Sequence, residues 1–392
     1  MTPQRCDVAV VGSGPAGASC AQRLAESGID TLLIEQKRFP RIKACGEYLN
    51  AVAVERLVDL GVDVRLRRSA TQLRGMRLFA HGEEGAFPFD RELWSIPRSM
   101  LDDALRQNAV RRGARTLAGR VIRVENDHDG VRLHMRDENG GASVVTAKYA
   151  VGADGLHSTI AHAPRRRTKP TRERFAIGGH YGAGASLDGW IEMYRVREGY
   201  LALNPLPLGE MNAMCVISAH ELYRWRKDVD RGMRDFSVDA SAGCRVLEPA
   251  MRSGERVSIG PLTPVERAAM RGRVLLAGDA AAFLDPFTGQ GVSFALISGQ
   301  LAARASIETL AVRGEAPLIA YAAAVSRMTR ERRQMTRLVD AILQQGFIVR
   351  LAARRLRESP RLTHALVDLV AGGGTDREAL EMLARLPEAV SQ

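Results

Sequence analysis

Lysine is scarce in this chain. Five lysines stand against 51 arginines, and with 45 acidic residues the formal charge is +11. A basic balance of that size raises nucleic acid or an anionic membrane as a partner. No stretch, however, interleaves aromatic and basic side chains in the manner of a base-stacking platform. A bias so strongly toward arginine is what a GC-rich genome produces, so the composition argues against nucleic acid. Cysteine is scarce too. Cys6, Cys20, Cys45, Cys215 and Cys244 show no CxxC spacing and no histidine at metal-ligand spacing, which excludes a zinc site and a disulfide-built scaffold. The odd count, with a strand expected from Asp7 and no secretory leader before it, points to reduced thiols and a cytoplasmic location. No window of 18 uninterrupted apolar residues occurs, so no membrane-spanning helix is expected. Repeats and low-complexity tracts are missing as well.

What remains is an ordinary globular composition, 45% hydrophobic and 26% charged. At 392 residues the chain exceeds the roughly 250–300 at which a single core stops growing, so two domains are expected. Residues 7–11 read as an apolar strand, 15–27 as a helix and 31–35 as a second strand, together a βαβ opening. A helix is expected over 52–60. Another is expected over 99–112, with Ser99 able to cap it and Gly113 closing it. Three strands follow over 120–125, 131–136 and 144–151, with Asp129-Gly130 as a turn. Residues 162–174 read as a charged linker. From 175 to about 218 the pattern is a run of strands, which implies an inserted antiparallel sheet. A strand over 273–277 and a helix over 292–310 return to the first pattern. The tail beyond 317 reads as helical, with apolar positions at Met335, Leu338, Val339, Ile342, Leu343 and Leu351.

Two motifs carry chemistry. In VAVVGSGPAG, Gly12, Gly14 and Gly17 fall in GxGxxG order between a strand and a helix. Gly12 permits the tight turn, Gly14 lets backbone approach a pyrophosphate, and Gly17 permits close helix–strand packing. Glu35 ends the second strand 23 residues after Gly12, placed to accept hydrogen bonds from a ribose diol. This motif alone does not separate FAD from NAD. The second, RVLLAGDAAAFLDPFTGQGVSFA, runs from Arg273 to Ala295. Its strand delivers Asp279, which can bind a polyol chain. Its loop, shaped by Pro286 beside Asp285, opens a helix at Gly291 and Val292 whose N–H groups can face a reduced flavin. Two such strand ends in one chain fit one extended dinucleotide, and that decides for FAD.

With these motifs the chain resembles the FAD-dependent para-hydroxybenzoate hydroxylase-type flavoprotein superfamily. The resemblance spans roughly residues 5–310 and includes VGADGLHST, residues 151–159. Within it, RIKACGEYL (residues 41–49) is similar to the geranylgeranyl reductase-related branch, which also includes flavin-dependent halogenases. The resemblance implies an α/β fold: a Rossmann-like FAD-binding domain of the glutathione reductase type over 1–75, 98–165 and 255–310. An interleaved antiparallel-sheet substrate domain occupies 76–97 and 166–254, and a helical C-terminal region 311–392. It also implies FAD contacts from Ala16, Glu35, Ala44, Cys45, Gly46, Arg98, Val121, Asp279, Gly291 and Val292. Asp154, with Gly155, serves FAD and nicotinamide binding in that superfamily. The Trp-x-Trp-x-Ile-Pro signature of flavin halogenases is missing, which speaks against chlorination. The aromatic YxWxF-like strand of lipid-reducing members is replaced by GYLALNPLPLG, residues 199–209.

Three function classes follow. The leading expectation is an NAD(P)H-dependent monooxygenase hydroxylating an aromatic or other hydrophobic small molecule, which asks of the protein a positioned substrate and a dry cavity. The alternative is a C=C reductase of the geranylgeranyl reductase type acting on an isoprenoid or quinone, with Cys45 or water supplying the proton. A non-catalytic flavin-binding regulator is the third. His180 and Tyr181 are candidates for orienting substrate, His180 being the second catalytic candidate after Cys45. The arginine-rich stretch 327–357 reads either as a helix packed on its own domain or as a peripheral contact with anionic membrane.

Overall fold

The computed structural model describes residues 4–80, 83–161, 166–167, 173–182, 187–196, 199–240, 252–284, 286–312 and 314–344. Val8, Ala9, Val10 and Val11, all buried, form the heart of the strand Gln4–Val11. It pairs in parallel with Thr31–Glu35 on one side and Ala142–Gly152 on the other. Continuous apolar runs of this kind are what a parallel sheet covered on both faces requires. The sheet order is Met270–Arg271, Val274–Leu276, Ala142–Gly152, Gln4–Val11, Thr31–Glu35, Arg115–Ala118, with the hairpin of Arg120–Asn126 and Val131–Arg136 added to Ala142–Gly152. The helix Pro15–Glu26 starts with proline in its first turn and packs its small residues against Gly291–Val312. A side chain at Gly299 would run into the Ala16 carbonyl, so these two helices approach at backbone distance.

A second, seven-stranded sheet has the order Val257–Ile259, Arg174–Gly182, Glu210–Ser218, Gly199–Pro205, Trp190–Val196, Gly75–Ala80, Glu83–Pro88. It is not purely antiparallel as expected: Trp190–Val196 runs parallel to Gly75–Ala80. The hairpin 75–88 is inserted far earlier in the chain, and local alternation carries no information about the direction in which it joins. Val257–Ile259, grouped by sequence with the FAD-binding segments, pairs here with Arg174–Gly182. Part of the expected linker, Arg166–Arg167, forms a short strand with Val265–Glu266. The sheet's period of two divides its residues cleanly. Leu201, Leu203, Ala213, Cys215 and Ile217 pack with Trp225, Met233 and Phe236 of the helices Ala219–Trp225 and Val229–Ala240. Their neighbours Tyr200, Ala202, Met214 and Val216 face the other way, into the space between the sheets.

The helix Arg98–Arg111 begins one residue earlier than expected, after Pro97, and Ser99 makes no cap. The helix Ala316–Gln344 packs on Gly291–Val312 through buried Leu318, Tyr321, Val325 and Met335, and the Tyr321 hydroxyl donates to the Leu276 carbonyl at 2.6 Å. The described part of the tail is therefore a packed helix. Leu338, Val339, Ile342, Leu343 and Leu351 lie outside the described side chains, and Asp285 and Cys244 outside the described residues. Among the described residues no helix is long and apolar enough to cross a membrane.

Candidate active site

A cavity of about 500 Å³ runs between the two sheets. Its wall includes Gly12, Gly14, Ala16, Glu35, Ala44, Cys45, Gly46, Arg98, Val121, Asp154, Asp279, Pro286, Gly291 and Val292. Gly17 and His180, two further candidates, are not on the wall. Gly17 lies beneath the first turn, where a side chain would collide with the Gly12 carbonyl. Gly12 has φ +98°, and a Cβ there would lie 2.5 Å from the Ala153 carbonyl oxygen. Both glycines thus answer to packing. Gly14 differs: the nearest atom to a Cβ would be Arg41 Nη2 at 3.4 Å, so its open side faces the cavity. The backbone N–H groups of Ser13 and Lys37 each donate to Glu35 at 2.8 Å, which fixes the carboxylate at the end of its strand. Asp154 Oδ2 accepts from the Thr159 N–H at 2.7 Å, while Oδ1 is buried without a partner among the described residues. Burial raises the pKa of this carboxyl.

Cations gather at one end. Asp102, fully buried, receives Arg98 Nε and Nη2, each at 2.9 Å, and lies 3.2 Å from Arg41 Nη2. Lys43 stands among Arg98, Asp279, Asp102 and Arg41, its pKa lowered first by burial and then by Arg98. Arg332 enters the same wall from the helix Ala316–Gln344.

The segment Cys45-Gly46-Glu47 forms the junction between the sheets. Asn212 Nδ2 donates to the Cys45 carbonyl and Asn204 Nδ2 to the Gly46 carbonyl, both at 2.7 Å, so neighbouring strands of the seven-stranded sheet hold the loop. The Arg98 guanidinium stands near the Cys45 sulfur, which accepts from the Glu47 N–H at 3.3 Å. Glu47, 3% exposed and with φ 58°, accepts from the Arg98 N–H at 2.7 Å and so caps that helix from outside. Its other oxygen lies 2.7 Å from His180 Nε2, and this hydrogen bond raises the His180 pKa. His180 therefore acts on the cavity only through Glu47. Tyr181 points to the opposite face, where its hydroxyl meets Asp230 Oδ1 at 3.3 Å, and does not reach substrate space.

Beyond Cys45 the cavity becomes apolar. Met76, Ile191, Met193, Met214, Val216 and Phe287 line it, with Phe287 set edge-on to Tyr200 at 5.0 Å. Glu47, Arg41, Lys43, Asp102, Asn204, Asn212 and Arg332 were not singled out by sequence reasoning. Glu47 completes the Cys-Gly-Glu segment and could have been found there. The two asparagines and Arg332 carry no local signal.

The FAD binding domain family matches residues 5–316. The chain belongs to this family. Menaquinone reductase of Mycolicibacterium smegmatis is 31% identical over 322 residues, covering 76% of each chain. Digeranylgeranylglycerophospholipid reductase of Methanosarcina acetivorans is 27% identical over 329 residues, covering 78% of this chain and 75% of that one. A solved flavin-dependent brominase superposes with a TM-score of 0.84 at 23% identity, covering 99% of this chain and 98% of its own, a likeness of fold. The residues present fit FAD. Glu35 stands where a ribose diol is recognised, the cations stand beside the Gly14 turn, and open space lies over Gly155 and Gly291, where a Cβ would meet nothing within 4 Å.

Proposed function

We propose that this FAD-dependent oxidoreductase is a reductase that saturates a C=C bond in an isoprenoid chain or an isoprenoid quinone, with NAD(P)H as reductant. The observation that carries this reading is the apolar chamber ending at Cys45. Apart from Tyr200 and Asn204, whose Nδ2 is engaged with the Gly46 carbonyl, the sheet residues on its wall are apolar: Met76, Ala176, Ile191, Met193, Ala202, Met214, Val216 and Ile259. The reductase names of two relatives support the same choice, and weigh against the monooxygenase favoured by sequence. Bound FAD supplies hydride once reduced. The chain's part is to exclude water around the double bond with Met76, Met193, Met214 and Phe287, and to deliver a proton to the second carbon. Cys45 Sγ is the donor at the chamber's mouth, and the Arg98 guanidinium stands beside it. Glu47 and His180 position that loop. Substrates of this kind reside in membranes, and with Arg332, Arg333 and Met335 engaged in packing we assign the other basic residues of 327–357 to a peripheral contact, tested by salt-sensitive binding to anionic vesicles.

The deciding experiment is anaerobic turnover with NADPH and either a menaquinone or geranylgeranyl diphosphate, followed by mass spectrometry. The expected product is two hydrogens heavier and forms without oxygen. A product that needs air and carries label from ¹⁸O₂ establishes the hydroxylase instead. A bound flavin that oxidises no reductant with any substrate leaves the regulator.

A further inference from the structure

The family match ends at residue 316, yet the cavity wall continues past it. Arg332 projects into the wall from the helix Ala316–Gln344. Its guanidinium lies 4.2 Å from the centre of the Phe294 ring, which sits directly after the helix start at Gly291–Ser293. Nε and Nη1 are buried and have no hydrogen-bond partner among the described residues, and Asp279 is the carboxylate whose charge bears on it. Burying a guanidinium with idle N–H groups is unfavourable unless an acceptor arrives. Asp279 links it to Lys43, which is in turn coupled to Arg41, Arg98 and Asp102. Three arginines, Arg332, Arg98 and Arg41, outnumber the carboxylates Asp279 and Asp102, with Lys43, whose pKa burial lowers, among them, and Arg41 stands beside the Gly14 turn. A diphosphate brings two negative charges. Planar guanidinium groups bind phosphate oxygens through paired N–H groups, which suits the idle atoms here.

We propose that Arg332 binds the diphosphate of FAD, a cofactor contact contributed by the C-terminal helix from outside the family's matched region. The full chain, stripped of flavin, is titrated with FAD at low and high salt, and binding is read by flavin fluorescence. Arg332→Gln is expected to raise the Kd about tenfold to a hundredfold at low salt, as for loss of a hydrogen bond to a charged group. The gap is expected to narrow at high salt, because the lost interaction is ionic. Arg332→Lys, which keeps the charge, is expected to retain the salt dependence. An unchanged Kd in Arg332→Gln overturns the proposal. So does a weakened Kd that shows the wild-type salt dependence, which would make Arg332 a packing residue on Phe294. If Arg332→Gln does not fold, Arg332→Met, which keeps apolar contact with Phe294 and no charge, decides: a weaker Kd with a shallower salt dependence supports the contact, and the wild-type salt dependence rejects it. Neither result depends on whether the enzyme reduces or hydroxylates.

Discussion

Glu47 and His180 meet at 2.7 Å across the junction of the two sheets, while the other oxygen of Glu47 caps the helix Arg98–Arg111. One carboxylate thus joins the seven-stranded sheet to the cofactor-facing side of the cavity. His180 has its pKa raised by this hydrogen bond. A group whose pKa is raised on folding adds stability that is complete below the ordinary histidine range and is lost as pH rises through the raised value. The melting temperature is therefore expected to fall by a few degrees on going from mildly acidic to mildly alkaline pH. His180→Gln should flatten that dependence. An identical pH profile in the variant would remove the pair from the account.

Asp102 holds two arginines with no exposure of its own. Asp102→Asn leaves both guanidinium groups short of a counter-charge in the cavity wall. The expected destabilisation is about 3–5 kcal/mol, the range for breaking a buried pair. Urea unfolding of the two proteins measures it, and a difference below about 1 kcal/mol would mean the cluster is solvated.

The glycines of the first turn separate by cause. Gly12→Ala faces the Ala153 carbonyl and a left-handed φ, so it should lower the melting temperature of the flavin-free chain. Gly14→Ala meets only Arg41 Nη2 at 3.4 Å and should leave the flavin-free chain intact while reducing FAD retention. Thermal melts with and without added FAD distinguish the two. Equal loss of flavin-free stability in both variants would remove Gly14 from the cofactor site.

Cys45→Ala should slow product formation by on the order of a hundredfold, the usual scale for losing a positioned proton donor. FAD binding should change little, since Asn204 and Asn212 hold the loop through backbone carbonyls. Anaerobic single-turnover rates in water and deuterium oxide check this. An unaltered rate and solvent isotope effect would assign the proton to another group.

What sequence could reveal was set by range. Gly12, Gly14, Glu35 and Asp279 belong to short motifs in which a strand, a turn and a helix follow directly, so local pattern is enough. Glu47 takes its partners from Arg98 and His180, 51 and 133 residues away. Asn212 reaches Cys45 across 167 residues. No periodicity encodes such meetings. The misplaced helix start has the same origin: Ser99 is a good cap by type, but Pro97 and the carboxylate of Glu47 set the boundary one turn position earlier. The strands of the seven-stranded sheet over 175–218 were legible from alternation, whereas Val257–Ile259 and the parallel join of Gly75–Ala80 to Trp190–Val196 were not.

The alternation of the seven-stranded sheet has a consequence for how such a protein can diverge. Along Gly199–Pro205 and Glu210–Ser218, Leu201, Leu203, Ala213, Cys215 and Ile217 are committed to the helices behind, Asn204 and Asn212 hold the Cys45 loop, and Tyr200, Ala202, Met214 and Val216 border the cavity. Selection on ligand choice can therefore rewrite Ala202, Met214 or Val216 while the residues that hold the sheet to its backing stay as they are. Change of diet and maintenance of the scaffold occupy separate registers of the same strands.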